Sequence, residues 1–182
     1  MPKKKIRKSI FLGIDEVGRG ALAGPLIITG CLGPLNKKNK EILKGIKDCK
    51  KLSPLEREDW LKKLKKGDFK FYFICISNKF IDHFGIKIAL DKGVKELLKK
   101  IRKKPKLIFL DGGLKAPQNY FQKTIIKGDE KNPLIAAASI YGKVKRDKFM
   151  EKLDRKYFYN FEKHKGYGTK EHFFLIKQKR IS

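Results

Sequence analysis

The chain has 182 residues, which suffice for one domain with a sizeable core, and its 41% hydrophobic content excludes a disordered basic tail. Its 46 lysine and arginine residues outnumber 19 acidic ones and give a formal net charge of +27, which favours a polyanionic partner because basic side chains displace the counterions of phosphates. Three widely spaced cysteines without a CxxC pair argue against a zinc site or a disulfide framework and favour a reducing cytoplasm, and no apolar run approaches the roughly 20 residues of a membrane span.

The first part of the chain predicts two strands joined by a glycine-rich loop. Residues 10–14 form an apolar run, and Asp15 stands at its end. The following segment, residues 18–25, contains three glycines and ends in a proline, which is typical of a loop. Residues 26–32 are apolar and rich in β-branched side chains, so we expect the second strand there.

The next segment predicts helical turns and then a strand. Residues 36–51 are rich in charge and are expected to be partly helical. Ser53 can cap a helix that has Pro54 at its first position, and Glu56 completes a capping box, so we expect a helix from there to just before Gly67. Residues 69–77, FKFYFICIS, carry apolar side chains on both faces, which predicts a central strand covered on both sides.

The second half of the chain predicts alternating helices and strands. A helix is expected over residues 85–101, where apolar residues recur with helical spacing on a lysine-rich surface. Short strands are expected at 106–110 and 124–126, a long helix at 133–157, and a final helix capped by Thr169. The order of these elements predicts an α/β fold with a mixed central β-sheet flanked by helices on both faces.

Four acidic residues follow the predicted strands: Asp15 and Glu16, Asp111, and Asp129. Each alone is most simply a turn residue, but strand ends in α/β sheets commonly form sites, and four converging carboxylates would repel one another. A divalent cation relieves that repulsion, and oxygen ligands favour Mg²⁺ or Mn²⁺, two of which, roughly 3.5–4 Å apart, can catalyse phosphodiester hydrolysis. Because adjacent strand residues face opposite sides, we expect Asp15 and Glu16 to share a site only where Gly18 ends the regular strand.

Several motifs occur in a fixed order along the chain. They are GIDEVGRGALAGP at 13–25, DCKKLS at 48–53, FLDG at 109–112, KGD at 127–129, AASI at 137–140, KVKRD at 143–147 and KGYGT at 165–169. Together they resemble the motifs of bacterial ribonuclease HII, and the resemblance spans residues 11–172. Two positions depart from it: Cys49 replaces the family's usual serine, and Gly142 its usual alanine, which is expected to cost the helix about 1 kcal/mol.

The resemblance implies an RNase H-like fold that forms a single catalytic domain over residues 1–182, with a small helical C-terminal region, about 158–182, that contacts the substrate. It implies two-metal endonucleolysis with Mg²⁺ or Mn²⁺, in which Asp15, Glu16, Asp111 and Asp129 are the metal-binding catalytic acids. The bond cut lies 5′ to a ribonucleotide embedded in duplex DNA, and the products carry 3′-hydroxyl and 5′-phosphate ends. RNA in RNA/DNA hybrids is also degraded, so the implied roles are ribonucleotide excision repair and primer removal.

The resemblance also implies which residues bind the substrate. Gly18, Arg19 and Gly20 match the loop that grips the ribonucleotide and its 2′-hydroxyl, the group that distinguishes RNA from DNA. Tyr167 matches the tyrosine that packs on the neighbouring deoxyribose at the RNA–DNA junction. The side chains expected to contact phosphates are Lys51, Lys143 and Arg146. We expect a cytoplasmic monomer that binds no membrane.

Some polar residues are expected to play no direct catalytic part. Asp147 is expected to pair with a lysine one helical turn earlier. His164 precedes Tyr167 but matches no catalytic histidine of the family, and His83 and His172 are expected at the surface.

Two other functions stay open at this stage. One is a non-catalytic basic module that binds RNA or DNA, which would need the positive charge but not four acids at strand ends. The other is a different RNase H-fold nuclease, such as a Holliday-junction resolvase, which would need the acids but not a loop and a tyrosine that read a single 2′-hydroxyl.

Overall fold

The computed structural model describes residues 9–46 and 49–179, and a five-stranded sheet lies at its centre. The strands are β1 (Phe11–Val17), β2 (Leu26–Gly33), β3 (Lys70–Ile76), β4 (Leu107–Asp111) and β5 (Gln122–Ile125), in the order β3-β2-β1-β4-β5. β3, β2 and β1 pair antiparallel, whereas β1, β4 and β5 pair parallel, so the predicted mixed sheet is confirmed. Asp48 of the DCKKLS motif and both chain ends of the predicted 1–182 domain lie outside the described residues.

The helical segments are α1 (Lys37–Leu43), a 3₁₀ turn (Cys49–Lys51), α2 (Pro54–Leu64), α3 (Asn78–Lys99), α4 (Gly128–Lys131), α5 (Pro133–Tyr157), α6 (Phe161–His164) and α7 (Lys170–Lys179). The prediction for α5 is confirmed, and α2 has the predicted capping box, since Ser53 Oγ accepts from the Glu56 amide and the Glu56 carboxylate accepts from the Ser53 amide. α3 begins earlier than predicted and is interrupted at Gly85, whose φ of 78° is not helical.

Helices α3 and α5 cover opposite faces of the sheet, as the side chains of β1 show. Leu12 and Ile14 point into a core that includes Val94 and Leu97 of α3. Gly13 faces α5, and a Cβ at this position would overlap the Leu134 carbonyl group of that helix. A glycine at residue 13 therefore allows α5 to lie directly against the strand that carries Asp15 and Glu16.

Strand β1 is longer than the sequence predicted. Its pairing with β4 ends at Ile14 and Leu110, but its pairing with β2 continues through Val17. Asp15 and Glu16 therefore lie inside a regular strand, and the prediction that they need an irregular strand end is wrong. The backbone is held regular by β2 alone, while the absence of β4 beyond Asp111 leaves the other edge of β1 open to the two side chains.

Strand β3 lies at the edge of the sheet, so the prediction of a central strand is wrong. One face is buried beneath α3, whereas the other is only partly covered by α5 and leaves Phe73 and Cys75 exposed. Ile74 and Ile76 join the core beneath α3, and Phe71 packs against Tyr141 of α5 with ring centroids 4.8 Å apart. A pattern of apolar residues on both faces of a strand therefore does not show whether a further strand pairs alongside it.

Candidate active site

Three of the four predicted acids converge. Asp15 and Glu16 reach the site from β1 and Asp111 from the last position of β4, and one carboxylate oxygen of each lies within 4.8 Å of the others. The two β1 side chains start on opposite faces of the strand, but both can turn toward the space that opens where β4 ends. The parallel pairing of β1 with β4 thus creates the acidic cluster.

The fourth acid, Asp129, lines the same cleft but does not belong to this close group. It stands in the first turn of the short helix α4 rather than directly at a strand end, and it is 6% exposed. Its Oδ2 lies 3.5 Å from the Lys50 ammonium nitrogen. Four carboxylates were predicted to converge. Three of them do so, and the fourth lies nearby in the cleft.

The orientation of Asp111 depends on the turn into α4. The Gly128 amide donates to Asp111 Oδ1 at 2.5 Å, and a Cβ at residue 128 would lie 3.0 Å from the same oxygen. Lys127, just before it, adopts a left-handed backbone conformation with φ of 54°. The KGD motif thus places a backbone donor against one acid and carries the next acid, Asp129.

The environment of the cluster disfavours negative charge. Burial raises the pKa of Asp15 well above its ordinary value, and the charges of Glu16 and Asp111 raise it further, against a hydrogen bond from Ser139 that lowers it. The pKa of Glu16 is also raised, first by burial and then by Asp111, with Arg19 acting in the opposite direction. Carboxylates in such a place need a cation to be charged together.

The carboxylate of Glu16 has an unused ligand position. Its Oε1 lies 3.5 Å from Arg19 Nη1, but its Oε2 is buried and finds no hydrogen-bond donor within the described part of the chain. Buried polar atoms without partners are rare, and a carboxylate oxygen in an acidic cluster is a ligand that Mg²⁺ and Mn²⁺ prefer. The donor set of Asp15, Glu16 and Asp111 therefore fits a hard divalent cation.

Basic side chains surround the acids in a cleft of about 600 Å³. The lining residues are Asp15, Glu16, Val17, Gly18, Arg19, Cys49, Lys50, Arg57, Asp111, Asp129, Ser139, Lys143 and Tyr167. Lys143 pairs with Asp147 at 2.7 Å, as predicted for that acid, and Arg57 lies 3.5 Å from the same carboxylate. Lys51 is exposed but is not among the lining residues.

Sequence reasoning missed two residues of this cleft, Arg57 and Ser139. Arg57 is 9% exposed and donates to the Cys49 carbonyl at 2.9 Å. Its position in line with Leu61 and Leu64 of α2, four and seven residues later, was the available signal, because a charged residue on an apolar helical stripe is unusual. Ser139 Oγ lies 3.0 Å from Cys49 Sγ, so the cysteine that replaces the family's usual serine lies within hydrogen-bond distance of this hydroxyl.

The loop that follows β1 needs its glycines. Gly18 and Gly20 have φ of 100° and 77°, in the region that favours glycine. A Cβ at residue 18 would also lie 2.6 Å from the Pro25 carbonyl oxygen, whereas the space around residue 20 is open. Arg19 between them is exposed, with 57% of its side-chain surface accessible.

Arg146 is not a phosphate contact, which corrects the prediction for this residue. It is fully buried, and its guanidinium donates to three backbone carbonyls, those of Ala23, Pro25 and Lys165, at 3.1, 3.0 and 2.7 Å. Burial lowers its pKa from the ordinary value. The physical reason for the correction is that Arg146 ties the loop after Gly18 to the loop before Tyr167 and has no surface left for a substrate.

The loop that follows β1 and the loop that carries Tyr167, both predicted to contact the substrate, are hydrogen-bonded to each other. The Leu22 and Ala23 amides both donate to the Gly166 carbonyl, at 2.9 and 3.1 Å. Tyr167 lines the cleft with the acids, and its ring centroid lies 5.2 Å from the Arg146 guanidinium carbon. The glycine loop and Tyr167 are therefore held in a fixed relation to each other and to Glu16.

The histidines differ from their predictions in part. His83 is exposed, as expected, but His172 is 2% exposed, so the prediction that it lies at the surface is wrong. His164 is also buried, and neither His164 nor His172 lines the cleft of the acids. His172 is covered because α7, which Thr169 caps as predicted, folds back onto the loop that carries Tyr167.

Comparison with known protein families gives one consistent result. The family model described as Ribonuclease HII matches residues 12–181. The chain is 44% identical to the Ribonuclease HII of Prochlorococcus marinus (strain MIT 9312), covering 97% of this chain and 87% of that one. It is 36% identical to the Ribonuclease HII of Caldicellulosiruptor bescii, covering 91% and 79% of the two chains.

Solved structures share the fold. The ribonuclease H2 of Pyrococcus horikoshii OT3 is 29% identical, with a TM-score of 0.76 over 95% of this chain and 90% of that one. The RNase HII of Archaeoglobus fulgidus, solved in complex with PCNA, is 27% identical, with a TM-score of 0.77 over 95% and 91%. Over the described residues, no helix has the length and apolar content needed to span a membrane.

Proposed function

This chain belongs to the ribonuclease HII family and is a ribonuclease H, and from this premise we propose that Asp15, Glu16, Asp111 and Asp129 are its catalytic acids. The observation that carries the proposal is the convergence of three carboxylates within 4.8 Å, together with a buried Glu16 oxygen that has no donor among residues 9–46 and 49–179. In this proposal water is the nucleophile, so the reaction needs no nucleophilic side chain.

Asp15, Glu16 and Asp111 would hold a Mg²⁺ or Mn²⁺ ion, and Asp129 would serve a second one. When bound, the ions supply Lewis-acid chemistry that activates water and stabilises the leaving oxygen. The protein holds Asp111 in place before an ion arrives, since the Gly128 amide donates to its carboxylate. In the overall reaction water adds to phosphorus and the bond to the 3′ oxygen breaks, so the ends are a 3′-hydroxyl and a 5′-phosphate.

Selection of the substrate is assigned to the paired loops. Gly18, Arg19 and Gly20 lie next to the acids, and the glycines let backbone groups approach a ribose, whose 2′-hydroxyl distinguishes it from deoxyribose. Tyr167 stands on the other loop, where its ring can pack on the deoxyribose across the RNA–DNA junction. The enzyme then cuts on the 5′ side of a ribonucleotide in duplex DNA and also degrades the RNA of RNA/DNA hybrids.

Basic residues and the C-terminal segment contribute to binding of the duplex outside the acidic cluster. Lys51 and Lys143 contact phosphates outside the acidic cluster, and the net charge of +27 strengthens binding to any duplex. The segment from about 158 to the C terminus, which carries Tyr167, belongs to the substrate-binding surface of a single catalytic domain. The protein works as a cytoplasmic monomer in ribonucleotide excision repair and primer removal, in keeping with cysteines at 31, 49 and 75 that form no disulfide among the described residues.

A substitution of Asp111 tests the catalytic assignment. Duplex DNA with one ribonucleotide is incubated with Mg²⁺ or Mn²⁺ and either wild-type protein or Asp111→Asn. We expect the variant to lose more than about 100-fold in cleavage rate, because even the loss of an outer-shell partner costs metal sites up to that factor. Asp91→Asn, an exposed acid on α3, is the matched control and should cut normally. An Asp111→Asn protein that folds and cuts at the wild-type rate would refute the assignment.

A further inference from the structure

The segment that carries Tyr167 has an unusual backbone. Phe158, Asn160 and Lys165 all have positive φ, at 55°, 56° and 50°, a conformation that residues with a Cβ rarely adopt. Gly166 follows with φ of 82°, and a Cβ there would overlap the Ala23 carbonyl oxygen. Such a backbone persists only where surrounding contacts determine it strongly.

Two buried imidazole rings lie inside this segment. His164 is 7% exposed and His172 is 2% exposed, and their rings stack with centroids 4.2 Å apart and planes 18° from parallel. The ring of Phe161 meets both edge-on, with centroid distances of 5.7 Å. We call His164 and His172 the imidazole pair.

The hydrogen bonds of the pair define its protonation. The Gly166 amide donates to His164 Nδ1 at 3.2 Å, so this nitrogen carries no proton, and His164 Nε2 must donate to the Tyr159 carbonyl at 2.7 Å. His172 Nδ1 lies 3.0 Å from the Tyr167 carbonyl, which only accepts, so Nδ1 carries the proton. Burial lowers the pKa of His172, in keeping with a neutral ring.

These bonds surround Tyr167. His164 holds the amide of Gly166, the residue before it, and His172 holds the Tyr167 carbonyl itself. The Tyr167 amide in turn donates to the His164 carbonyl at 2.9 Å. The ring of His172 thus holds the peptide group that follows the Tyr167 Cα, and the backbone carbonyl of His164 holds the one that precedes it. The ring of His164 holds the next peptide group back, between Lys165 and Gly166.

We infer that His164 and His172 are positioning residues for recognition of the RNA–DNA junction, because the imidazole pair sets the direction of the Tyr167 ring. The inference rests on the junction role of Tyr167 in the proposed function. Neither histidine can act on the reacting atoms, since both lie outside the cleft and their bonded nitrogens are engaged with the backbone.

The test compares kcat/KM on two substrates, duplex DNA with one ribonucleotide and a long RNA/DNA hybrid. In His172→Ala the ratio of the first to the second should fall about 10- to 100-fold, the loss typical of a misplaced binding group. In His172→Asn the side-chain amide nitrogen occupies the position of Nδ1 and should restore the ratio. His172→Gln places its amide one bond further out and should not, so this pair gives the result even if the alanine variant is unstable.

Measurements in the Tyr167→Ala variant distinguish the junction role of Tyr167 from the positioning role of His172. If His172 acts through Tyr167, then His172→Gln should not lower the ratio further once Tyr167 is alanine. An unchanged ratio in Tyr167→Ala alone would refute the junction role of Tyr167. A reduced ratio in Tyr167→Ala together with wild-type ratios in folded His172→Ala and His172→Gln would refute the positioning role alone.

Discussion

At the scale of single residues, the site depends on carboxylates whose negative charge is disfavoured by their burial in the fold. Asp15 is 5% exposed, and burial together with the neighbouring acids raises its pKa. Glu16 has one buried oxygen for which the described part of the chain supplies no donor. These features are expected to lower the stability of the metal-free protein at neutral pH, and in our proposal they favour the binding of a divalent cation.

The first prediction concerns the pH dependence of stability without metal. A carboxyl group whose pKa is higher in the folded than in the unfolded state binds more protons when folded, so its contribution to stability is present below about pH 4 and is lost as the pH rises through the folded pKa. Asp15→Asn removes this effect. In the presence of a chelator at pH 7.5 we therefore expect Asp15→Asn to have a higher Tm than wild type, with the difference shrinking toward pH 4.

Addition of Mg²⁺ or Mn²⁺ at pH 7.5 provides the control for this prediction. The ion should raise the Tm of wild type and should raise that of Asp15→Asn less, because binding to the folded state alone stabilises it. A wild-type protein that is as stable as the variant without metal, and does not respond to metal, would contradict the proposed role of Asp15.

The second prediction concerns Arg146. Replacing it by methionine leaves the carbonyls of Ala23, Pro25 and Lys165 without their donor, and each buried unsatisfied group costs about 1–3 kcal/mol. We expect Arg146→Met to lower the free energy of unfolding in urea by about 3 kcal/mol or more. Arg155→Met, an exposed arginine on the same helix, should change it by less than about 0.5 kcal/mol. Equal values for the two variants would count against the structural role of Arg146.

At the scale of elements, the helices could be predicted from local sequence, whereas the pairing of the strands could not. The capping box at Ser53 and the apolar spacing of α5 are fixed by neighbours in sequence, so α2 and α5 were predictable. The edge position of β3 and the continuation of β1 to Val17 depend on which strand lies alongside, which no local pattern contains.

The same distinction applies to the site. Asp15, Glu16 and Asp111 could be predicted because parallel strands bring their carboxyl ends to one edge of the sheet. The burial of Arg146 could not, since in sequence it is one of many basic residues on a helix. Its carbonyl partners are about 120 positions away at Ala23 and Pro25, and 19 away at Lys165.

The third prediction concerns the contact of α5 with the sheet. An alanine at residue 142 would gain about 1 kcal/mol of helix propensity, but its Cβ would lie 2.8 Å from Thr29 Oγ1 and 3.0 Å from Val17 Cγ2. Gly142 therefore allows α5 to pack closely against β1 and β2, and this packing offsets the expected cost to the helix. Overpacking typically costs about 1–3 kcal/mol, so we expect Gly142→Ala to lower the free energy of unfolding slightly.

Gly13→Ala tests the same contact of α5 with the sheet and is expected to destabilise the protein more. Its Cβ would meet backbone atoms of α5, which cannot rotate away as a side chain can, so urea unfolding should show a larger loss than for Gly142→Ala. A reversed order would mean that α5 can move away from β1 more easily than from β2.

At the scale of the whole molecule, general binding of nucleic acid and selective cleavage depend on different parts of the protein. The net charge of +27 attracts any nucleic acid, because phosphate contacts carry no sequence or sugar information. In our proposal, the acids at the junction of β1 and β4 carry out the cleavage, and two loops joined by Arg146 and by the Gly166 carbonyl select the ribonucleotide. The sheet order places these parts beside one another.

The most direct test of the central claim is to map the cut in duplex DNA that contains one ribonucleotide, at nucleotide resolution, with Mg²⁺ or Mn²⁺ and with a chelator. We predict a single cut on the 5′ side of the ribonucleotide that leaves a 3′-hydroxyl and a 5′-phosphate, no cut in the matched all-DNA duplex, and no cut in chelator. Cleavage that continues without divalent metal, or that falls on all-DNA duplex equally, would contradict the account.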